Sequence, residues 1–149
     1  MDAQIDAATF IEQAADAIVI AAPNGAITVW NAAAERLFGF TSEEALGRSL
    51  DIIIPERFRR RHWEGYDQAM QSGFSRYGAD DLLRVPALHR DGRALSIAFT
   101  VTMLKDEAGK VAAIAAIIRD ETARWAEEKQ LKQRLAALEC GKGGAGAAG

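Results

Sequence analysis

Between Pro55 and Gly73 the residues Phe58, His62, Tyr66, Ala69 and Met70 recur at i, i+4, i+8, i+11 and i+12, which is one face of an amphipathic helix. Glu56, Arg57, Arg59, Arg60, Arg61, Glu64, Asp67, Gln68 and Gln71 take the other sides. Pro55 suits the first turn, where its missing N–H costs nothing, and Gly73 is a natural stop. A different period governs residues 95–103: Leu95, Ile97, Phe99, Val101 and Met103 alternate with Ser96, Ala98, Thr100 and Thr102, which predicts a strand with one apolar face. Residues 17–22 form an apolar, β-prone run. Pro23-Asn24-Gly25 is a turn signal, and residues 27–30 return as the second strand of a hairpin.

The remaining elements follow from caps and turns. A weakly amphipathic stretch carrying Ile5, Ala8, Phe10 and Ile11 predicts a short N-terminal helix that packs on the domain or on a partner. Asn31 caps a helix that Gly39 ends; Thr41 or Ser42 caps another, with glutamates in its first turn and Gly47 at its close. Residues 50–54 are a short apolar element leading into Pro55. Residues 81–88 read as a strand interrupted by Pro86, hence at an edge or bulged. His89-Arg90-Asp91-Gly92 is a hairpin turn, which predicts a solvent-facing His89, and residues 110–119 are the last strand. Thr122 caps a final helix to about Glu139, in which Leu131, Leu135 and Leu138 are spaced 4 and 3 as in a heptad seam. The Gly/Ala-rich residues 141–149 are expected to be disordered. The order β-β-α-α-α-β-β-β implies an α+β fold: five antiparallel strands around a gap filled by the middle helices. The expected divisions are an N-terminal cap helix over 1–14, a core over 15–122, a C-terminal helix over 123–140 and a tail over 141–149.

Composition narrows the function. The net charge of −3 argues against a general nucleic-acid binder, and no apolar run reaches the length of a membrane span. Arg57, Arg59, Arg60 and Arg61 read as a solvated helix face. Cys140 is the lone cysteine, so no internal disulfide forms, which fits a reducing cytoplasm. No phosphate-binding loop, zinc spacing or triad motif is present, so the expectation is a protein without catalysis of its own. Trp30 and Trp125 read as packing residues, the latter at a helix interface; Trp63 borders the apolar stripe. The one ionisable residue on that stripe is His62. An imidazole aimed at a core either satisfies both ring nitrogens with ordinary hydrogen bonds or gives one to a metal.

Four stretches together resemble a PAS domain. They are Asn24-Gly25-Ala26-Ile27-Thr28-Val29-Trp30-Asn31, the segment 33–47 around Leu37-Phe38-Gly39-Phe40-Thr41, Arg90-Asp91-Gly92 before the long alternating strand, and Arg119-Asp120-Glu121-Thr122 before the final helix. The resemblance covers roughly residues 8–122. It implies a sensory and dimerisation module: a homodimer that relays a signal through its C-terminal helix to a signalling protein in trans or to a removed effector domain.

The long helix sorts the type. Photosensory flavin-binding PAS domains carry a cysteine on the preceding helix, where this chain reads Leu50-Asp51-Ile52-Ile53-Ile54-Pro55, so the resemblance excludes that class. The segment Pro55 to His62, followed by Gly65-Tyr66, resembles the helix of the heme-binding oxygen-sensor PAS type. That resemblance implies heme b with His62 as its iron ligand, Tyr66 and Met70 beside it on the helix, and Phe99, Val101, Ala116 and Ile118 lining the far side. Arg76 reads either as an exposed arginine or as a partner for a carboxylate such as a heme propionate. Where those sensors place a distal arginine, eight residues before the aspartate of the Asp-Gly turn, this chain has Leu83, with Arg84 adjacent. The departure implies either an apolar distal side at Leu83 or a shift of Arg84 into the role. The alternative expectation is a PAS module without heme, binding a small apolar or carboxylate ligand or serving protein–protein dimerisation.

Overall fold

The computed structural model describes residues 5–74 and 82–147. Its elements run α1 (Ala7–Gln13), β1 (Ala17–Ala21), β2 (Ile27–Trp30), α2 (Ala32–Phe38), α3 (Ser42–Ala45), a 3-10 turn (Leu50–Ile53), α4 (Glu56–Ser72), β3 (Leu83–Leu88), β4 (Ala94–Lys105), β5 (Val111–Asp120) and α5 (Thr122–Ala147). The five strands form one antiparallel sheet in the order β2-β1-β5-β4-β3. The fold class is therefore the expected α+β architecture.

Pro86 lies on β3, an outer strand of the sheet, where a residue that cannot donate to a ladder is tolerated. Register sets the inner face. Leu83 pairs with Phe99, and Phe99 in turn with Ile118. Val101 pairs with Ala116, and Ala116 with Val19. Because side chains alternate with period two, these residues point to one side.

Beneath one end of that face the core is solid. Phe38 is fully buried, with the Trp30 ring 5.3 Å from it, and the Trp30 indole N–H donates to the Phe40 carbonyl at 2.9 Å. The packing role expected of Trp30 is what the structure shows.

Asn31 does more than cap. Its Oδ1 accepts from Ala34 N (3.0 Å) and Ile18 N (2.9 Å), and its Nδ2 donates to the carbonyls of Ile11 (2.8 Å) and Asp16 (3.1 Å). One fully buried amide thus ties α2, β1 and the end of α1 together. Thr41, not Ser42, caps α3, in a reciprocal box with Glu44.

The core passes into the final helix through a tight junction. Glu121 N donates to Ser96 O at 2.7 Å, and Ser96 N donates to the Thr122 hydroxyl at 3.0 Å. Arg119 pairs with Asp16 at 3.0 Å. The helix runs on through Ala147, past the predicted end near Glu139. No proline interrupts it, and the alanines between the glycines are strong helix formers.

One other expectation is corrected. His89 is not solvent-facing: its side chain is 15% exposed. Its ring lies against Gly39, where an added Cβ would stand 2.6 Å from the ring Cε1, and its Nδ1 accepts from Asp91 N. Trp125 is 54% exposed in the single chain, with the Lys129 ammonium over its ring.

Candidate functional site

Helix α4 does not close down on the sheet. A cavity of about 510 Å³ separates them, walled by α4 and the 3-10 turn on one side and by β1, β3, β4 and β5 on the other. Small side chains on the helix, Gly65 and Ala69, help to leave it open.

Hydrogen bonds hold α4 at this distance. The Tyr66 hydroxyl donates to Ala22 O at 2.6 Å, and the Trp63 indole N–H donates to Asp51 Oδ1 at 2.7 Å. Trp63 also lies on Gly25, where an added Cβ would come 2.2 Å from its ring. Gly25 has φ +85°, a conformation that glycine adopts at least cost. Trp63 therefore packs outside the cavity, wedged between the hairpin turn and the helix. Arg59 donates to Ile54 O (3.0 Å) and Asp51 O (3.2 Å), so this member of the arginine cluster is a strut and not a solvated side chain. Arg60 is solvated, pairing only with Glu64.

His62 is on the cavity wall, in an aromatic corner. Its ring stands edge-on to Trp63 at 4.7 Å and tilted to Tyr66 at 5.7 Å. Nδ1 is completely buried and has no hydrogen-bond partner. Burial pushes the ring's pKa below the ordinary histidine value, while the Asp51 carboxylate pulls weakly the other way. The imidazole is thus neutral at physiological pH, the form in which a ring nitrogen can bind metal. An ordinary hydrogen bond at Nδ1, part of one of the two expectations for this ring, is not formed. The Tyr66 hydroxyl is pushed up to about 12, first by burial and then by Asp67, so it stays protonated as a donor.

Leu83, Phe99, Val101, Ala116 and Ile118 all line the cavity, together with His62 and Tyr66. Met70 does not. At about 100° per residue Met70 is rotated about 80° from His62 around the helix, whereas Ala69 is within about 20°; Ala69 takes the position expected of Met70. Arg76 lies outside the described residues. Arg84 borders the cavity, but it pairs with Ala98, one place from Phe99, so its side chain belongs to the opposite face of the sheet. Leu83 is the residue that faces inward. The sequence reading missed Val19, Ala21 and Ile114 as wall residues. Continuous apolar runs in β1 and β5 hide which alternate positions turn inward. Ile97 was legible, since it shares the face of Phe99 and Val101. Among the described residues no three His, Cys, Asp or Glu side chains cluster as a metal site, and no helix is long and apolar enough to cross a membrane.

A neutral imidazole on the wall of an apolar hollow suits a ligand that brings its own metal centre; Nδ1 is enclosed by protein, so only the other ring nitrogen could meet such a ligand.

A protein of Azorhizobium caulinodans described as uncharacterized is 32% identical over 127 residues, covering 85% of this chain and 17% of that protein. The oxygen sensor protein DosP of Escherichia coli is 28% identical over 130 residues, covering 87% of this chain and 16% of that protein. The chain therefore spans about a sixth of the length of these curated relatives. A solved PAS domain from Colwellia psychrerythraea superposes with a TM-score of 0.67 at 22% identity, covering 78% of this chain and 94% of that one, a likeness of fold. Residues 6–120 match the family described as PAS fold, and the chain belongs to that family.

Proposed function

We propose that this PAS domain is a sensor that holds heme b in the cavity under α4, with His62 as the iron ligand. The observation that carries the proposal is a neutral His62 on the wall of an apolar hollow of about 510 Å³, with Nδ1 enclosed by protein so that only the other ring nitrogen could meet a ligand there. An unsatisfied buried nitrogen is costly in a purely structural residue. It is less surprising in a ring whose orientation serves a ligand. The similarity to DosP, an oxygen sensor by name, supports the same reading.

The chain's own residues have separable tasks. Tyr66 and Trp63 fix the helix and thereby the ring. Leu83, Phe99, Val101, Ala116 and Ile118 exclude water from the opposite side. The iron, when bound, supplies an open coordination position for a diatomic gas or a change of oxidation state. Displacement of Ala116 and Ile118 along β5 reaches Arg119 and the Ser96–Thr122 junction, and so the start of α5. The output is relay and not catalysis. Leu131, Leu135 and Leu138 on α5, 63%, 58% and 65% exposed, offer a second copy the seam for a homodimer. The free Cys140 fits a reducing cytoplasm.

The test is an absorption spectrum of the protein purified from cells supplied with heme precursor. An intense band at roughly 400 nm, lost or shifted in His62→Ala, supports the proposal. A colourless protein whose thermal midpoint rises with a small apolar metabolite instead favours a PAS module without heme.

A further inference from the structure

Resting on the heme reading above, we infer that the site selects carbon monoxide and nitric oxide and discriminates against oxygen. The inference comes from the wall that faces His62. Oxygen bound to reduced iron draws electron density onto its outer atom and depends on a fixed N–H or O–H donor to hold it. Carbon monoxide stays nearly apolar and does not; the polarity and donors of the facing wall therefore decide which gas is kept.

Here that wall is hydrocarbon. Leu83, Phe99 and Ile118 stand side by side across three strands, with Val101 and Ala116 in the adjoining row. Among the described residues, those that border the cavity and carry a hydrogen-bond donor in the side chain are Arg61, His62, Tyr66 and Arg84. Arg61 and Tyr66 are on α4, the same helix as His62, and the Tyr66 hydroxyl is already committed to Ala22 O at 2.6 Å. Arg84 is turned to the other face by its pairing with Ala98. Among the described residues no donor is left to reach from the sheet.

The experiment uses the full chain loaded with hemin and reduced, with oxygen and carbon monoxide titrated by visible absorption in wild type, Leu83→Arg and Leu83→Gln. Placing a donor at position 83 should raise oxygen affinity by roughly 10- to 100-fold, the worth of one hydrogen bond to a charged group. Carbon monoxide affinity should stay within about threefold, which also reports that the variant is folded. If wild type already holds oxygen as tightly as the donor variants do, the inference is overturned while the cofactor reading stands. If no His62-dependent heme band forms, both fall together. Two position-83 variants guard against one that misfolds. Unchanged oxygen affinity in both, with carbon monoxide binding intact, also overturns the inference.

Discussion

Replacing His62 by leucine in the ligand-free protein separates a histidine kept for a ligand from one kept for the fold. The wild-type ring has a fully buried Nδ1 without a partner, half-buried surroundings and two aromatic neighbours. Leaving a polar group buried and unsatisfied costs about 1–3 kcal/mol. Since the ring as a whole is not deeply buried, the low end of that range applies, and leucine keeps most of the apolar contact. His62→Leu should therefore stabilise the ligand-free protein by about 1 kcal/mol, or roughly 2–4 °C in thermal midpoint for a chain of this size.

The pH dependence sharpens the prediction. The folded ring resists protonation, whereas the unfolded chain takes up the proton below about 6.5. Wild-type stability should thus be fully present above that value. It should decline as pH falls from 6.5 toward the lower folded value, and His62→Leu should lack this component. Urea unfolding at several pH values measures both effects, with an unchanged denaturant slope as the check that the transition is comparable. Destabilisation by more than about 1 kcal/mol at neutral pH would refute the reasoning, because it would mean that the imidazole makes interactions the fold needs.

Other perturbations test the scaffold around the site. Asn31→Ala removes the acceptor of two backbone N–H groups and the donor to two carbonyls. It should cost about 3–4 kcal/mol by urea unfolding, with faster proteolysis near α1. Gly25→Ala forces a side chain into a left-handed backbone conformation and against Trp63. A loss of about 2–4 kcal/mol with an altered near-ultraviolet circular dichroism spectrum is expected, and a neutral result would mean Trp63 does not pack there. Tyr66 titrates about 12 when folded against 10 when unfolded, so wild-type stability should fall as pH rises from 10 toward 12. Tyr66→Phe should lose about 1 kcal/mol at neutral pH, and its alkaline decline should be shallower than that of wild type.

Much of this architecture is written in local pattern. The α4 stripe, the alternation of β4, the Pro23-Asn24-Gly25 hairpin and the Asn31 cap each have a period or a turn chemistry that a single sequence displays. What it does not display is the third dimension at those elements. Ala69 and Met70 are neighbours on a helical stripe, and only the placement of α4 over the sheet decides that Ala69 meets the cavity. Arg84 and Leu83 are both available to a linear count, and pairing with Ala98 and Phe99 separates them. His89 sits in a turn, which predicts exposure, yet Gly39 offers a flat surface from a distant helix end. Arg59 looks like the other arginines of its cluster until the carbonyls of Asp51 and Ile54 are brought beneath it. The candidate site was legible in its anchor, His62, because one ionisable group on an apolar stripe stands out chemically. Its walls were only partly legible, because uniformly apolar strands carry no mark of which face is inward.

The most direct test of the central claim is a hemin titration of wild type and His62→Ala, each with and without free imidazole, followed at roughly 400 nm. The account predicts one hemin per chain with an imidazole-bound spectrum in wild type, a weakened and altered complex in His62→Ala, and recovery of the wild-type spectrum when imidazole is added. An identical spectrum and affinity in wild type and His62→Ala, or no saturable binding by wild type, would contradict it.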